Sequence, residues 1–178
     1  MHLFTRLLFK FSALCRCRII NGPDNNPYLE RYHLMSLPFG YRVYLHRFVA
    51  SDPGRSLHNH PWHRALSLVL SGHYLETRMT DARNDNRLVT RRVSAGSLNR
   101  IDGRVFHRID MPENRECWTL FIHSASAKSW GFLRQQEARR FAFHDHNRVL
   151  NQQSNPLWWK TAKRPRHCPW MRKPMTSA

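Results

Sequence analysis

Acidic residues are scarce in this sequence, and the deficit is uneven along the chain. The 178 residues include 12 Asp and Glu against 29 Lys and Arg, giving a formal net charge of +17. Residues 1–21 carry four basic side chains and residues 155–178 carry six, in both cases without an acid. A positive field of this size favours anionic partners, whether nucleic acid, phospholipid or acidic metabolites. For the middle of the chain, simple solubility is an equally good explanation.

Cysteine is also rare, and long apolar runs are missing. The four cysteines show neither a Cys-x-x-Cys pair nor the density of a disulfide scaffold, which favours a reducing compartment. No run approaches the roughly 20 apolar residues of a transmembrane helix. The apolar N-terminus is broken by Arg6 and Lys10 and is followed by no small-x-small cleavage site, so it is a poor match to a secretory signal. We therefore predict a cytoplasmic protein.

The length of the chain suits one domain with decorated ends. Hydrophobic residues make up 41% of it and aromatic residues 12%, as in a globular protein. Turn clusters and shifts in composition predict four parts. These are an N-terminal amphipathic segment at 1–27, a barrel at 28–133, a capping segment at 134–154 and a basic aromatic tail at 155–178.

Both ends of the chain carry patterns of their own. Apolar residues between Leu3 and Cys15 recur at helical spacing, with Arg6 and Lys10 on the other side. This predicts an amphipathic helix that either folds back on the barrel wall, which we favour, or binds a membrane surface or a partner. Leu133–His144 has the composition of a capping helix. The tail, with three tryptophans among basic residues, is predicted to be loosely ordered.

The sequence between these ends has the pattern of short strands and turns. Tyr41–Ala50 precedes a Ser-Asp-Pro-Gly turn, and the nearly all-apolar Ala65–Leu70 is typical of a strand buried on both sides. Seven or so such strands without a long helix among them predict an all-β sandwich or barrel. The remaining predicted strands are His73–Thr80, Arg87–Val93, Arg104–Asp110 and Glu116–Ser124.

Three histidines stand within six residues just before the apolar strand. His58 and His60 are two residues apart, so in extended backbone both imidazoles leave the same face and can bind one ion. Neutral imidazole suits zinc, iron, copper or nickel. A lone His-x-His pair is weak evidence, however, because histidine pairs also occur by chance.

The surrounding residues resemble the cupin superfamily. Its first motif is matched by Gly54, His58, His60 and Gly72, with Ala65 where the motif has a glutamate. Its second motif sets a histidine eleven residues after a glycine, as in Gly96 and His107. The resemblance implies an all-β double-stranded β-helix, or jelly-roll barrel. Together with the patterns at the two ends, it predicts this barrel with a short N-terminal helix and a basic, partly disordered tail.

Within this superfamily the sequence is most similar to a group of small, poorly characterised bacterial and phage proteins. The similarity extends from Tyr28 to Phe132. The matching segments are Tyr28-Leu29-x-Arg31, Leu45-His46-Arg47-Phe48, His58-x-His60-Pro61-Trp62, Ser67-Leu68-Val69-Leu70-x-Gly72, Tyr74-x-Glu76, His107-Arg108-Ile109, Trp118-Thr119-Leu120 and Trp130-Gly131-Phe132.

The resemblance implies a metal site held by His58, His60 and His107. Three histidines without a carboxylate resemble the ligand set of thiol dioxygenases, so the expected metal is Fe(II), with Zn, Mn or Ni as alternatives. Either His63 or Glu76 could be a fourth ligand, or could support a ligand by hydrogen bonding.

Residues close to the motifs are candidates for contact with a substrate. An anionic molecule could meet the guanidinium of Arg47 or Arg108, and Trp62 could form part of the cavity wall. No catalytic residue can be assigned from the sequence.

Two functions remain open at this point. The first is a metal-dependent, dioxygenase-like enzyme acting on a small anionic molecule. The second is a non-enzymatic cupin binding module, which senses a small ligand or binds nucleic acid through its basic termini. A sugar isomerase or epimerase has only the fold in its favour. A homodimer paired through outer strands is a further expectation.

Overall fold

The structure, a computed structural model, describes residues 3–22, 24–79, 87–112, 115–137, 140–146, 155 and 157–175. In these ranges the chain forms one α-helix, α1 (Leu3–Ser12), and twelve strands. Short 3-10 helices lie at Pro38–Gly40, Trp158–Lys160 and Pro169–Met171. The strands are β1 (Arg16–Asn21), β2 (Pro27–Ser36), β3 (Arg42–Phe48), β4 (Leu57–His58), β5 (Arg64–Ser71), β6 (His73–Met79), β7 (Leu88–Ser94), β8 (Leu98–Asp102), β9 (His107–Asp110), β10 (Cys117–His123), β11 (Gly131–Glu137) and β12 (Arg140–Asp145).

The strands form two six-stranded sheets. One has the order β1-β2-β3-β10-β5-β8 and the other β12-β11-β4-β9-β6-β7. Every pairing between these strands is antiparallel, and strands distant in sequence are neighbours in both sheets. This is a jelly-roll barrel, so the predicted all-β fold is confirmed.

The strand pattern explains which side chains line the interior. On β5, Ala65, Ser67 and Val69 are buried, whereas Leu66 between them is 37% exposed. The expectation that this strand is buried on both sides is therefore wrong. One face of β5 packs on the opposite sheet, and the other lies on the barrel surface, as is usual in an antiparallel sandwich.

The helix predicted over Leu133–His144 is absent, and β11 and β12 occupy this region instead. β11 is held by pairing on both sides, with β12 and with β4, where Phe132 lies opposite His58. A Cβ on Gly131 would lie 2.2 Å from the carbonyl oxygen of His144, so glycine allows this close approach. Tertiary pairing has overridden the helical propensity of the side chains.

The predicted N-terminal helix is present and folds back on the barrel. Its Thr5 and Ser12 are buried, and Leu8 and Phe9 pack against a cluster on the outer face of the first sheet. The favoured interpretation, a helix on the barrel wall, is confirmed. This cluster consists of Cys17, Tyr32, Leu45 and Trp118. No helix in the described part of the chain is long and apolar enough to span a bilayer.

The C-terminal tail is also packed onto the barrel. Trp158 is buried, and its ring stacks on Tyr44 with 6.0 Å between centroids. The backbone N–H of Lys173 donates to a carboxylate oxygen of Glu30 at 2.8 Å. The expectation of a loosely ordered tail is therefore wrong for residues 157–175. Residues 147–154, 156 and 176–178 lie outside the described residues.

Candidate metal centre

Two strands of the second sheet bring the three predicted ligands together. His58 on β4 lies directly opposite His107 on β9, and His60 follows two residues after His58. One ring nitrogen from each histidine lies within 4.8 Å of the others, and the Nε2 atoms of His60 and His107 are 2.8 Å apart. Two nitrogens bound to one ion at about 2.1 Å lie at most about 4.2 Å apart. Small side-chain rotations would therefore close this group around a metal.

Glu76 lies directly behind His107. It is fully buried, and its Oε1 accepts a hydrogen bond from Nδ1 of His107 at 2.8 Å. Because Nδ1 carries the proton, the lone pair of His107 is on Nε2, which faces His60. A carboxylate that orients a histidine in this way is a recurrent support for metal ligands.

The remaining contacts of Glu76 keep its oxygens occupied. Oε1 is also 3.0 Å from the guanidinium of Arg78, and Oε2 accepts from Arg91 at 2.9 Å and from Asn99 at 3.1 Å. Burial alone would raise the pKa of Glu76, but the hydrogen bond from His107 and the guanidinium of Arg78 lower it to about 2. Glu76 is thus an anion that supports His107, and its geometry does not favour the alternative role of fourth ligand.

The other two histidines are held in their neutral form. Burial lowers the pKa of His58 and of His60 well below the usual value, and the charge of Arg31 adds to the effect on His60. Neutral imidazole is the form that binds metal. Nδ1 of His58 is 3.7 Å from Asp52, whose carboxylate is fixed by the backbone N–H of Ile109 at 2.7 Å. Burial raises the pKa of Asp52 to about 6.

Trp62 lies beside the group. Its ring stacks on the ring of His60 with 4.0 Å between centroids and 11° between planes, and Trp62 as a whole is only 5% exposed. It continues into an aromatic wall, because Trp62 contacts Phe121 at 5.5 Å and Phe121 stacks on His46 at 4.6 Å. This wall connects the three histidines to the neighbouring part of the barrel interior.

His63 and Arg108 lie apart from this centre. His63 is exposed and is not among the grouped histidines. Arg108 follows His107 on β9, so its side chain points to the other face, where it pairs with Asp110 at 3.0 Å and donates to the carbonyl of Arg55. Neither residue is placed to complete the metal shell or to meet a molecule bound at it.

Arg47 is buried on the outer face of the first sheet, beneath α1 and the tail. Its guanidinium is bound by the carboxylates of Glu30 and Glu116 and by the carbonyl oxygens of Lys173 and Pro174. Through these contacts the side chain of Arg47 joins the tail to the barrel. The contact with a substrate predicted for Arg47 does not fit this position.

Arg31 is the arginine that sequence reasoning missed. It lies opposite His46 in the pairing of β2 with β3, so both side chains are on the same face, and its Nε donates to Nε2 of His46 at 3.1 Å. Burial lowers its own pKa, and its charge in turn contributes to the lowered pKa values of His46 and His60. Among the described residues, Arg31 has no carboxylate partner within ion-pair distance.

A polar group without a partner lies next to His46, on the side of that residue away from Arg31. Thr119 on β10 is opposite His46, is fully buried, and has an Oγ1 without a hydrogen-bond partner among the described residues. Buried hydroxyls are normally hydrogen-bonded, so an unpaired one suggests a site for a bound polar group. A sequence signal existed, because Arg31 and His46 both fall within the segments that resemble cupins.

Gly103 holds the histidine segment against β8. Its backbone N–H donates to the carbonyl of His63 at 2.9 Å, and its own carbonyl accepts from the N–H of His60 at 3.4 Å. A Cβ at this position would lie 1.7 Å from the carbonyl oxygen of Trp62. Only glycine fits here without moving the segment that carries the ligands.

No known protein family and no curated protein matches the chain in sequence. Among solved structures it is similar to the DMSP lyase DddQ of Ruegeria pomeroyi DSS-3, with a TM-score of 0.51 and 15% identity over 70% of this chain and 65% of that one. It also resembles the cupin domain of Schizosaccharomyces pombe Cnp3, with a TM-score of 0.42 and 12% identity over 55% of this chain and 65% of that one. A third similar structure is hydroxypropylphosphonic acid epoxidase of S. wedmorenis, with a TM-score of 0.43 and 15% identity over 61% of this chain and 55% of that one.

The jelly-roll topology, together with the likeness to DddQ, defines the class of fold as a jelly-roll barrel of the cupin type. The chain spans roughly half to two thirds of the length of these three proteins. At such identities the likeness concerns the fold alone, and the function has to be argued from the site.

Proposed function

We propose that the protein is a metal-dependent cupin enzyme of the non-haem Fe(II) oxygenase type, acting on a small anionic molecule. The observation that carries the proposal is the group of three inward-facing histidines within 4.8 Å, backed by the buried carboxylate of Glu76. His58, His60 and His107 would hold the ion. Three protein ligands leave coordination positions open, which catalysis requires and a closed structural site lacks.

The charge of such a metal centre is the reason for proposing an anionic substrate. Three neutral imidazoles do not neutralise a divalent cation, and Glu76 is already balanced by its own arginines. An anion bound beside the ion is therefore favoured electrostatically. When bound, Fe(II) supplies polarisation of the substrate and activation of dioxygen.

Arg31 replaces Arg47 and Arg108 as the residue proposed to receive the anionic group of the substrate. It faces the barrel interior, lacks a carboxylate partner among the described residues, and donates to His46, which lies opposite Thr119 and its unpaired hydroxyl in the next strand pair. A planar guanidinium matches a carboxylate or phosphate with two parallel hydrogen bonds. Trp62 and Phe121 would line the path between this group and the histidines, excluding water.

The metal site is tested by loading protein purified without oxygen with Fe(II) and measuring bound iron. We expect close to one ion per chain in the wild type and its loss in His60→Ala and in His107→Ala. His63→Ala removes an exposed histidine from the same segment and is expected to retain the ion. Equal iron content in all four proteins would exclude this metal site.

The anion site is tested by thermal shift of the iron-loaded protein with a panel of small carboxylates and phosphates. We expect some of these to raise the Tm of the wild type and of Arg108→Met, but not of Arg31→Met. If Arg31→Met responds like the wild type, the substrate is held elsewhere in the barrel.

The nucleic-acid alternative receives little support from the tail. The ring of Trp158 is buried and that of Trp159 stacks on His33 at 4.5 Å, so neither is free to stack on a base. Binding of RNA or DNA with a steep salt dependence, abolished by truncation at Asn155, would still restore this alternative.

A further inference from the structure

Helix α1 presents a second apolar stripe that the barrel does not cover. Side chains advance by roughly 100° per residue around a helix, which separates those of α1 into three stripes. One packs on the barrel and contains Thr5, Leu8, Phe9 and Ser12. Another contains the basic Arg6 and Lys10. The third, here called the exposed stripe, contains Leu3, Phe4, Leu7 and Phe11, with Leu14 just beyond the helix end.

The exposed stripe is large for a surface helix. Its five side chains are between 49% and 74% exposed. The helix is held firmly in this orientation, because Arg172 donates to the carbonyl of Phe9 and to the hydroxyl of Ser12, both at 2.9 Å. A contiguous exposed apolar patch of this kind marks an interaction surface.

Positive charge lies along one side of the stripe and beyond the end of α1. Arg6 and Lys10 lie along one side of it, and residues 1–21 contain no acid. Past the end of α1 the chain forms a surface cavity of about 430 Å³ lined by Arg16, Lys163, Arg164 and His167, with no acid among its lining residues. Here the tail is tied to the helix end by the bond from the N–H of Arg166 to the carbonyl of Ala13.

An exposed tryptophan lies in the tail, next to a residue that packs against the same cluster as α1. Trp170 is 80% exposed and precedes Met171, which packs against the cluster that also includes Leu8 and Phe9. Tryptophan is enriched at the level of lipid headgroups because its ring is apolar with one polar edge. Helices that lie in a membrane interface combine the same three features, namely an apolar stripe, flanking cations and a nearby tryptophan.

We propose that α1 docks the protein on a bilayer surface that carries anionic phospholipids. The exposed stripe enters the boundary between headgroups and acyl chains, while Arg6, Lys10 and the basic cavity face the headgroup phosphates. A neutral partner protein would leave these cations unpaired, whereas an anionic bilayer satisfies both the apolar and the charged parts of the surface. The proposal does not depend on the metal site, because α1 lies on the outside of the barrel.

The test is co-sedimentation of the full-length, metal-loaded protein with vesicles of phosphatidylcholine alone and with vesicles containing phosphatidylserine. We expect binding only to the second kind, decreasing as salt is raised. The double variant Leu7→Gln/Phe11→Gln should weaken binding by about 100-fold or more, because the inserted apolar surface is lost. Arg6→Gln/Lys10→Gln should weaken it by about 30-fold.

Matched controls separate the stripe from general effects. Phe39→Gln removes another exposed aromatic ring, 92% exposed in the β2–β3 connection, and should not alter binding. Arg104→Gln/Arg134→Gln removes the same charge from exposed positions outside α1 and should weaken binding less than Arg6→Gln/Lys10→Gln. Unchanged circular dichroism and iron content would show that the variants are folded.

Three outcomes would overturn the proposal. The first is equal binding of the wild type and Leu7→Gln/Phe11→Gln to anionic vesicles. The second is a wild-type dimer in light scattering that this double variant abolishes, which would make the stripe an interface between two copies. The third is binding of single-stranded RNA through Arg6 and Lys10 without binding to vesicles.

Discussion

The side chains of the candidate centre differ in what surrounds them, and the surroundings assign their roles. His107 is fixed by the carboxylate of Glu76, while His60 is fixed by stacking on Trp62. His58 lies near Asp52 without a hydrogen bond to it, because the 3.7 Å separation is too long. The ring of His107 is therefore the most strictly oriented of the three.

Substitution of Glu76 tests this orientation. Glu76→Gln keeps an oxygen for Nδ1 of His107 but removes the negative charge that makes the ring a better ligand. We expect metal affinity to fall by about 10- to 100-fold, as measured by competition with a chelator. Asp110→Asn, which removes a carboxylate paired with Arg108 on the outer face, should leave the affinity unchanged. Equal affinities for the two variants would show that Glu76 does not support the site.

Arg47 is predicted to stabilise the fold without contributing to the site. Arg47→Met leaves the carboxylates of Glu30 and Glu116 buried without their cation, and breaking such a pair costs about 3–5 kcal/mol. Arg108→Met breaks the more exposed pair with Asp110 and should cost about 0–1 kcal/mol. Urea unfolding measures the difference. Loss of iron from folded Arg47→Met would return this residue to the candidate site.

At the scale of elements, the site depends on the close approach of two segments. The loop that carries His60 runs against the turn after β8, and Gly103 lies at the point of contact. The tail is a second such element, because it covers Arg47 on the outside and packs Trp158 against Tyr44.

Gly103→Ala is expected to disturb both stability and metal binding. The added methyl group would collide with the carbonyl of Trp62, and forcing extra atoms into a packed site costs about 1–3 kcal/mol. Because the displaced segment carries His60, iron affinity should fall together with the urea midpoint. Gly96→Asn is the control, since open space surrounds that position and asparagine tolerates its positive φ of 85°. Metal affinity equal to wild type in Gly103→Ala would contradict this account.

At the scale of the whole molecule, buried histidines make stability depend on pH. Burial lowers the pKa of His46 well below the usual value and that of His123 to about 4. Below pH 6.5 these histidines are therefore protonated in the unfolded chain but stay neutral in the folded state. The free energy of unfolding decreases as pH falls. Asp52 has the opposite effect between about pH 4 and 6, because its pKa is raised to about 6.

We expect the urea midpoint of the metal-free protein to fall between pH 7 and pH 5. Each histidine that stays neutral contributes up to about 1.4 kcal/mol per pH unit, so two of them outweigh one carboxyl group. His46→Asn should make the pH dependence of the urea midpoint shallower, because the unfolded chain then binds one proton fewer relative to the folded state. A pH dependence as steep as in the wild type would show that His46 is not held neutral.

The predictions made from sequence succeeded where a pattern is local. Alternation along strands, the helical spacing from Leu3 to Cys15 and the two cupin-like motifs were sufficient for α1, for the three grouped histidines and for six of the twelve described strands, namely β3, β5, β6, β7, β9 and β10. They failed for β11 and β12, whose composition favours a helix, because the pairing of β11 with β4 and of β12 with β11 decides their conformation. They also failed for the tail, where buried contacts with Glu30 and Tyr44 lie more than 100 residues away in sequence.

The sequence by itself determined that this chain is an all-β barrel, because side-chain periodicity is a property of neighbouring residues, and its resemblance to the cupin motifs indicated His58, His60 and His107 as candidate ligands. Only the tertiary structure decided which arginine faces the interior, since Arg31, Arg47 and Arg108 all lie in strands and their faces depend on register. It also showed that Glu76 lies behind His107 and that one apolar stripe of α1 stays uncovered. Each of these depends on which distant segments pack together, and local sequence does not encode that directly.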